Sequence, residues 1–253
     1  MKEVAPSYYP SFSCIAGACK HTCCVGWEIG IDEDSLKRFR YYPEIMAHVE
    51  EEKEGARFRL GQGERCPFLN RDGLCDLILK YGKGILCQIC RDHPRFRNFW
   101  SDRTELGLGL VCEEAARLIL FSSEAEEPMR LVELSDDGEP EEYPEDETWL
   151  TALRDSLLDH VGETGPLARL HEYLIYRHLP DALYDGRVGA RIAFIEASVR
   201  EIAGLWANTD GTQKAMTECV LRWSYDVEYD EEELERRISA FDTDDAETLP
   251  TDL

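Results

Sequence analysis

Nine of the chain's ten cysteines fall between residues 14 and 112. They come in groups. Cys14, Cys19, Cys23 and Cys24 lie in "FSCIAGACKHTCCVGWEIGID", followed by Cys66 and Cys75, then Cys87 and Cys90, then Cys112. Thiolate sulfur is a soft, anionic donor that suits zinc and iron–sulfur clusters, and a site takes about four such donors. Turn formers stand beside several of them: Gly17, Gly26, Pro67, Gly73 and Pro94. Loops of this kind can aim ligands and backbone N–H groups at a metal centre. Metal ligation is therefore the expected role, against the alternative of inert buried thiols. The spacing leaves zinc and iron–sulfur both open. Only Cys87 and Cys90 make a C-x2-C pair, so the doubled pair of a zinc ribbon is absent, as is the C-x3-C-x2-C of radical enzymes. Nine sulfurs exceed one four-donor site, which leaves room for two sites or for bystander thiols. His21 and His93 lie among these loops and are read as solvated or supporting groups rather than ligands. Cys219, in "AMTECVLRW", is expected to be a small core residue of a helix.

The elements that must position these sulfurs can be read from pattern. "DEDSLKRFRYYPEIMAHVEEEKE" is predicted to be helical, with Asp32 or Asp34 as N-cap and a break at Pro43. "ARFRLGQGERCPFLNRDGLCDLI" holds the turn signal NRDG between short apolar stretches, so Cys66 and Cys75 are expected on or beside the arms of a hairpin. "NFWSDRTELGL" is predicted to be a second hairpin and "CEEAARLILFS" a short helix. Residues 121–147 carry 12 acidic residues, one Arg and three prolines, and read as a linker that adds little core. Helices are predicted over "DETWLTALRDSLLDHV" and "GPLARLHEYLIYRHL". Val188, Ile192, Ile195, Val199 and Ile202 then form one apolar helix stripe. The segment from Tyr225 is expected to hold one helix and then fray. No internal repeat is visible. The expected class is mainly α with small β-hairpins. It comprises a cysteine-rich metal-binding region (1–122), an acidic linker (123–147), a helical region (148–224) and an acidic C-terminal tail (225–253).

Composition bounds the function. The 253 residues are 43% hydrophobic, enough for a packed core. Mean hydropathy is −0.42, and no apolar run approaches a membrane span. "MKEVAPSYYP" lacks a secretory pattern, so a soluble cytoplasmic protein is expected, where clustered cysteines mean metal or catalysis more often than disulfides. The net charge of −24 is uneven: residues 1–120 carry −1 and residues 121–253 carry −23. The acidic half is unsuited to nucleic acid, whose phosphates need Lys and Arg. It serves solubility, or attraction of a basic partner or a lysine-bearing substrate.

The order and flanks of "FSCIAGACKHTCCVGWEIGID", "CPFLNRDGLC", "CRDHPRF" and "GLVCEEAARLIL" resemble the flagellin lysine-N-methylase family, which overlaps a wider group of zinc- or iron-chelating proteins. The resemblance covers about residues 6–122 and continues more weakly through "HEYLIYRHLPDALYDG". It implies N-methylation of flagellin lysines, with S-adenosylmethionine as methyl donor and a 4Fe–4S cluster, zinc being the alternative. Carried over by motif, it implies ligands among Cys14, Cys19, Cys23, Cys24, Cys66, Cys75, Cys90 and Cys112. Cys87 lies outside the family's pattern.

The residues themselves speak only partly for methyl transfer. The ε-amine must be deprotonated, desolvated and aligned with the sulfonium methyl. "ELGLGLV" offers only Gly107 and Gly109, without the third glycine or βαβ context of a nucleotide turn, and is read as a tight β element entering Cys112. Trp27, Tyr8, Tyr9, Phe96, Phe99 and Trp100 lie near the cysteines in sequence, and Trp27 is read as a packed residue beside the metal loop rather than a lid. Tyr173, Tyr176 and Arg177 can face a site or pack between helices. Arg91, Arg95 and Arg97 can neutralise an anionic cluster or stay solvated. No catalytic base is assigned. The competing expectations are an iron–sulfur-dependent protein lysine methyltransferase, a non-catalytic metal-binding protein for electron transfer, metal handling or scaffolding, and a zinc-stapled interaction domain.

Overall fold

The computed structural model describes residues 2–53, 55–123, 128–135, 147–161 and 164–242. The chain divides into two compact units, one of residues 13–95 and one of residues 1–12 with 96–253. Strand β1 (Lys2–Pro6) belongs to the second, larger unit.

In the smaller unit, β2 (Gly30–Ile31), β3 (Val49–Glu52) and β4 (Gly55–Phe58) form an antiparallel sheet in the order β2-β4-β3. Gly30 pairs with Arg57, and Val49 with Phe58. Four short helices accompany it: α1 (Glu33–Phe39), α2 (Pro43–Met46), α3 (Asp76–Tyr81) and α4 (Gln88–Asp92). Helix α1 starts as expected, with the Asp32 carboxylate accepting the Ser35 N–H at 2.9 Å. Pro43 opens α2 instead of bending α1, since a first-turn proline forfeits no helical bond. The helix does not continue through "VEEE", where the structure has β3. Arg57 on the neighbouring strand meets Glu52 at 2.7 Å and Glu50 at 3.5 Å, and Arg59 meets Glu50 at 2.9 Å. These cross-strand pairs, with Val49 buried beneath, outweigh the helix preference of glutamate.

The NRDG turn is tighter than a hairpin. One antiparallel bridge joins Leu69 to Cys75, and the Asn70 side chain accepts the N–H groups of Asp72 and Leu74. Gly73 sits at φ 72°, in the left-handed region that glycine enters at little cost. The small core is built from Ile29, Phe39, Ile45, Phe58 and Phe68, with the Phe58 ring 5.7 Å from Phe39 and 5.2 Å from Phe68.

The larger unit carries a mixed sheet in the order β5-β6-β1-β7, with β5 (Arg95–Phe99), β6 (Arg103–Leu108) and β7 (Leu131–Ser135). β5 and β6 form the predicted second hairpin. β1 runs parallel to β6, Lys2 beside Arg103, and antiparallel to β7, Pro6 beside Leu131. β7 lies where the sequence suggested a linker. Its pairing with β1, and the Lys2–Glu133 ion pair at 3.1 Å, draw residues 131–135 into the fold. The rest of that acidic stretch, 124–127 and 136–146, lies outside the described residues.

Seven helices complete the described part of this unit: α5 (Glu113–Phe121), α6 (Thr148–Asp159), α7 (Pro166–His178), α8 (Ala182–Asp185), α9 (Val188–Ala207), α10 (Gln213–Trp223) and α11 (Glu231–Ser239). Trp100, Leu108, Ile119, Leu150, Tyr173 and Phe194 share one core. Residues 96–122, grouped by sequence with the cysteine-rich region, thus pack with the helices. The buried face of α9 is centred on Phe194, Ile195, Ser198 and Ile202, with Val188, Ile192 and Val199 at its margins.

Two expectations change in this unit. The segment after Tyr225 does not fray at once. A π-helical turn (Ser224–Glu228) buries Val227 and Glu228, and α11 is tied back by Arg187–Glu235 at 2.7 Å and Arg237–Glu201. The end of the expected tail, 243–253, lies outside the described residues. Cys219 is half-buried on the flank of α10, because Met216, Val220 and Trp223 fill that helix's core face. The protein is mainly helical with small β elements. No helix among the described residues is long and apolar enough to cross a membrane.

Candidate functional site

Eight of the clustered cysteines belong to the smaller unit, and Cys112 belongs to the larger one, where it precedes α5. Cys14 is exposed, and its sulfur accepts the Ala16 N–H at 3.4 Å. Cys19 Sγ donates to the His21 carbonyl at 3.3 Å. The Cys23 carbonyl takes the Trp27 indole N–H at 2.6 Å, and the half-buried Trp27 ring stands 5.3 Å from that of His93. Trp27 is therefore a packed wall of this loop.

Deeper in the unit, five thiols border the small core. Cys66 and Cys87 are buried, and Cys24, Cys75 and Cys90 pack against them. The Cys66 N–H donates to the Cys24 carbonyl at 2.8 Å, which fixes the first loop against the second. Cys75 and Cys87 are the residues that precede α3 and α4. Cys87 Sγ and Cys90 Sγ are 3.5 Å apart in hydrogen-bonding contact.

The placement of α4 has a cause that sequence reasoning missed. Asp32 caps two helices with one carboxylate. Oδ1 accepts the Ser35 N–H of α1, and Oδ2 accepts the Gln88 N–H of α4 at 2.7 Å. Burial works against its charge, but the backbone donors of Gln88 and Ser35 outweigh it and hold the carboxyl at about 2. The sequence marks Asp32 as a cap for the helix that follows it. Nothing local marks a partner at Gln88.

Proximity sets the thiol chemistry. The hydrogen bond from Cys23 brings Cys24 down to about 7, against its burial and with help from Thr22 and Arg65. Burial pushes Cys66 up to about 12 and also raises Cys75. In the Cys87–Cys90 pair, their shared hydrogen bond lowers Cys87 and raises Cys90: the first thiolate is stabilised by its neighbour's S–H, and the second meets its charge. Cys90 is close enough to Cys24 and Cys66 to be raised by them, and Cys66 to be raised by Cys24, Cys75 and Cys87.

This arrangement does not fit a four-iron cluster. No three His, Cys, Asp or Glu side chains among the described residues are gathered about a point that could hold a metal. Each iron of such a cluster takes one cysteine. The close pair, Cys87 Sγ and Cys90 Sγ at 3.5 Å, is two donors in hydrogen-bonding contact and not a set of three or four.

The remaining candidates resolve by burial. His93 is pushed down to about 4 by burial, with a smaller effect from Arg95, and is neutral at neutral pH. His21 is exposed, as are Arg91 and Arg97, while Arg95 is half-buried. Tyr8, Phe96, Trp100, Tyr173 and Tyr176 are buried in the larger unit's core, Tyr9 packs against it, and Phe99 is exposed. The Tyr176 hydroxyl donates to the Leu106 carbonyl, and the Arg177 guanidinium lies 4.1 Å from the Phe96 ring centre. Gly107 has a packing reason: a Cβ there would meet Phe96 Cζ at 2.0 Å.

The larger unit holds two buried polar networks that composition did not reveal. Glu105 pairs with Arg103 at 2.8 Å and Arg154 at 2.7 Å, and both guanidinium groups lie over Trp100. Glu228 accepts from Tyr173 at 3.0 Å and from Ser224, and pairs with His178 at 2.9 Å. Burial raises the Glu228 pKa, but these partners, His178 foremost, prevail and hold it below the usual carboxylate range. Tyr173 also accepts the Leu110 N–H, so this network fixes the segment that leads to Cys112.

The chain has distant relatives of known name. A lysine-N-methylase of Salmonella typhimurium is 26% identical over 139 residues, covering 49% of this chain and 35% of that protein. The lysine-N-methylase of Salmonella choleraesuis matches with the same figures. A flagellar biosynthetic protein, FliU, of Salmonella muenchen is 26% identical over 139 residues, covering 49% of this chain and 82% of that protein. The match thus spans about a third of the length of the lysine-N-methylases, 35%. No family profile matches the chain, and no solved structure matches it.

Proposed function

We propose that the chain is a protein lysine N-methyltransferase that takes its methyl group from S-adenosylmethionine and acts on flagellin. The observation that supports this most is the similarity of about half the chain, 49%, to a lysine-N-methylase and to a flagellar biosynthetic protein. Charge agrees with it. Residues 121–253 carry a net −23, a field that draws a lysine-rich surface. In the transfer, the neutral ε-amine attacks the sulfonium methyl. A C–N bond forms as the S–C bond breaks, and the amine's proton leaves to solvent. The protein's task is to align and desolvate the amine, a matter of positioning.

The test is incubation of the full chain with labelled S-adenosylmethionine and flagellin, followed by peptide mass spectrometry. Label on flagellin lysines that depends on the chain is the expected result. Absence of methyl-lysine on flagellin and on the chain itself sinks the reading. One observation favours a second reading, a non-catalytic metal-binding protein: Cys66 and Cys87 are buried in the smaller unit's own core, as in a structural staple. That reading expects bound metal without methyl transfer.

A further inference from the structure

We propose that the Arg177 guanidinium and the Tyr229 hydroxyl form the anion-binding end of the methyl-donor site, the place that receives the amino-acid carboxylate of S-adenosylmethionine. The inference deepens the methyltransferase reading and rests on it. Both residues belong to the larger unit.

Helix α7 and the π-helical turn bring the two side chains to one place. Tyr173 and Arg177 are four residues apart on α7 and share a face. On that face the Tyr173 hydroxyl reaches Glu228 Oε1 at 3.0 Å, and His178, the residue after Arg177, reaches the same oxygen at 2.9 Å. Tyr229 follows Glu228, and its N–H closes the π-helical turn on the Ser224 carbonyl at 3.1 Å. The buried Glu228 network thereby fixes where Arg177 and Tyr229 stand. The Arg177 charge acts on Tyr173, Glu228 and Tyr229 alike. Turns of this π type recur at functional sites.

Arg177 has no partner that accounts for its charge. It is half-buried, yet among the described residues it makes no hydrogen bond and no ion pair. Arg103, Arg154, Arg187 and Arg191 of the same unit each meet a carboxylate. The Arg177 guanidinium instead lies 4.1 Å from the Phe96 ring centre, and a cation held over a ring keeps its N–H donors for another partner. Phe96 is a fixed platform: it is buried, its ring centre is 6.4 Å from that of Tyr173 and 6.0 Å from that of Tyr176, and Gly107 lies against it. The Tyr229 hydroxyl likewise makes no hydrogen bond among the described residues. The Tyr229 residue is 39% exposed, while desolvation of its hydroxyl pushes it up to about 12 against the pull of Arg177. It therefore stays protonated and can donate.

Charge selects the ligand. One guanidinium and one hydroxyl donor suit a carboxylate, which an arginine fork grips through both oxygens. A lysine ammonium is repelled by Arg177. A phosphate, with close to two negative charges, is disfavoured by the neighbouring Glu228 carboxylate. The methyl donor carries a single carboxylate at its amino-acid end. Holding that end orients the sulfonium methyl from a distance, so Arg177 binds and positions the donor without touching the reacting atoms.

The experiment is calorimetric titration of the full chain with two probes. S-adenosylhomocysteine has the donor's carboxylate, and methylthioadenosine keeps the nucleoside but lacks the amino-acid end. The wild-type chain should bind the first at least about tenfold more tightly than the second. Arg177→Gln should weaken the first by about tenfold and leave the second within about twofold. Arg177→Lys should recover part of the loss, and Tyr229→Phe should weaken the first by a smaller factor, about threefold. Equal binding of the two probes by the wild-type chain, or binding of neither, overturns the proposal even where a variant fails to fold. So does an Arg177→Gln chain that binds both probes as the wild type does, or that loses both equally, the mark of a merely structural role. The two readings fail separately. Arg177-dependent binding without methyl-lysine on flagellin or on the chain sinks the methylase reading alone. Methyl transfer with unaltered probe affinity in Arg177→Gln sinks this one alone.

Discussion

The two units solve the same problem with different materials. The larger one has long helices and a broad apolar core, and it can afford carboxylates in its interior because each is fully partnered: Glu105 by Arg103 and Arg154, Glu228 by His178, Tyr173 and Ser224. The smaller one has four short helices, a three-stranded sheet and thiols where a larger core would place leucine. Its order depends on caps, tight turns and surface ion pairs. The lesson is that buried charge is tolerated where packing is deep, and that a thin core leans on sulfur and on single anchoring side chains.

The largest effect should come from breaking the interior of the larger unit. Arg154→Ala leaves Glu105 buried with only Arg103 as a charged partner, at a cost of about 3–5 kcal/mol. Chemical denaturation measures it. Thiol reactivity of the smaller unit should stay unchanged if the units are as independent as their cores suggest, and a parallel rise would break the comparison. Gly107→Ala comes next. The new methyl group collides with the Phe96 ring and should cost about 1–3 kcal/mol with β5 and β6 displaced, read as a lowered unfolding midpoint.

Asp32→Ala is the corresponding test of the smaller unit, since it removes two caps at once, about 1–2 kcal/mol. Its pH dependence has a definite sign. The folded carboxyl, at about 2, lies below the ordinary value of about 3.9. The stabilisation is therefore complete above the unfolded value and is lost as pH falls through the folded one. The gap between wild type and variant should be flat from neutral pH to about 5 and close toward pH 2, measured by urea titration at each pH. A gap that persists in acid would show that packing, not the carboxylate, holds α4.

Local signals were legible. The cap at Asp32, the helices α5, α6 and α7, the β5–β6 hairpin and the grouping of thiols all follow from short-range pattern. What escaped depends on partners that strand pairing or tertiary packing, not helical spacing, brings together. β3 reads as helix until Arg57 is placed opposite Glu50 and Glu52. β7 reads as linker until β1 arrives from the other end of the chain. The second cap of Asp32 and the salt bridge of Glu105 join residues far apart in sequence, and no local pattern records them. For the site, the spacing singled out Cys87 and Cys90 as a pair, but only the structure sets their sulfurs beside each other.

The pairing of β1 with β6 orders the chain in time. β1 leaves the ribosome before both of its partners: its parallel neighbour begins at Arg103 and its antiparallel neighbour at Leu131. At synthesis rates of about 5–20 residues per second, the first strand waits on the order of ten seconds for a partner. The whole of residues 13–95 emerges during that wait. The smaller unit can therefore be complete before the sheet of the larger one closes around strands from both sides of the interval, and β1 waits for both of its sheet neighbours until that late closure.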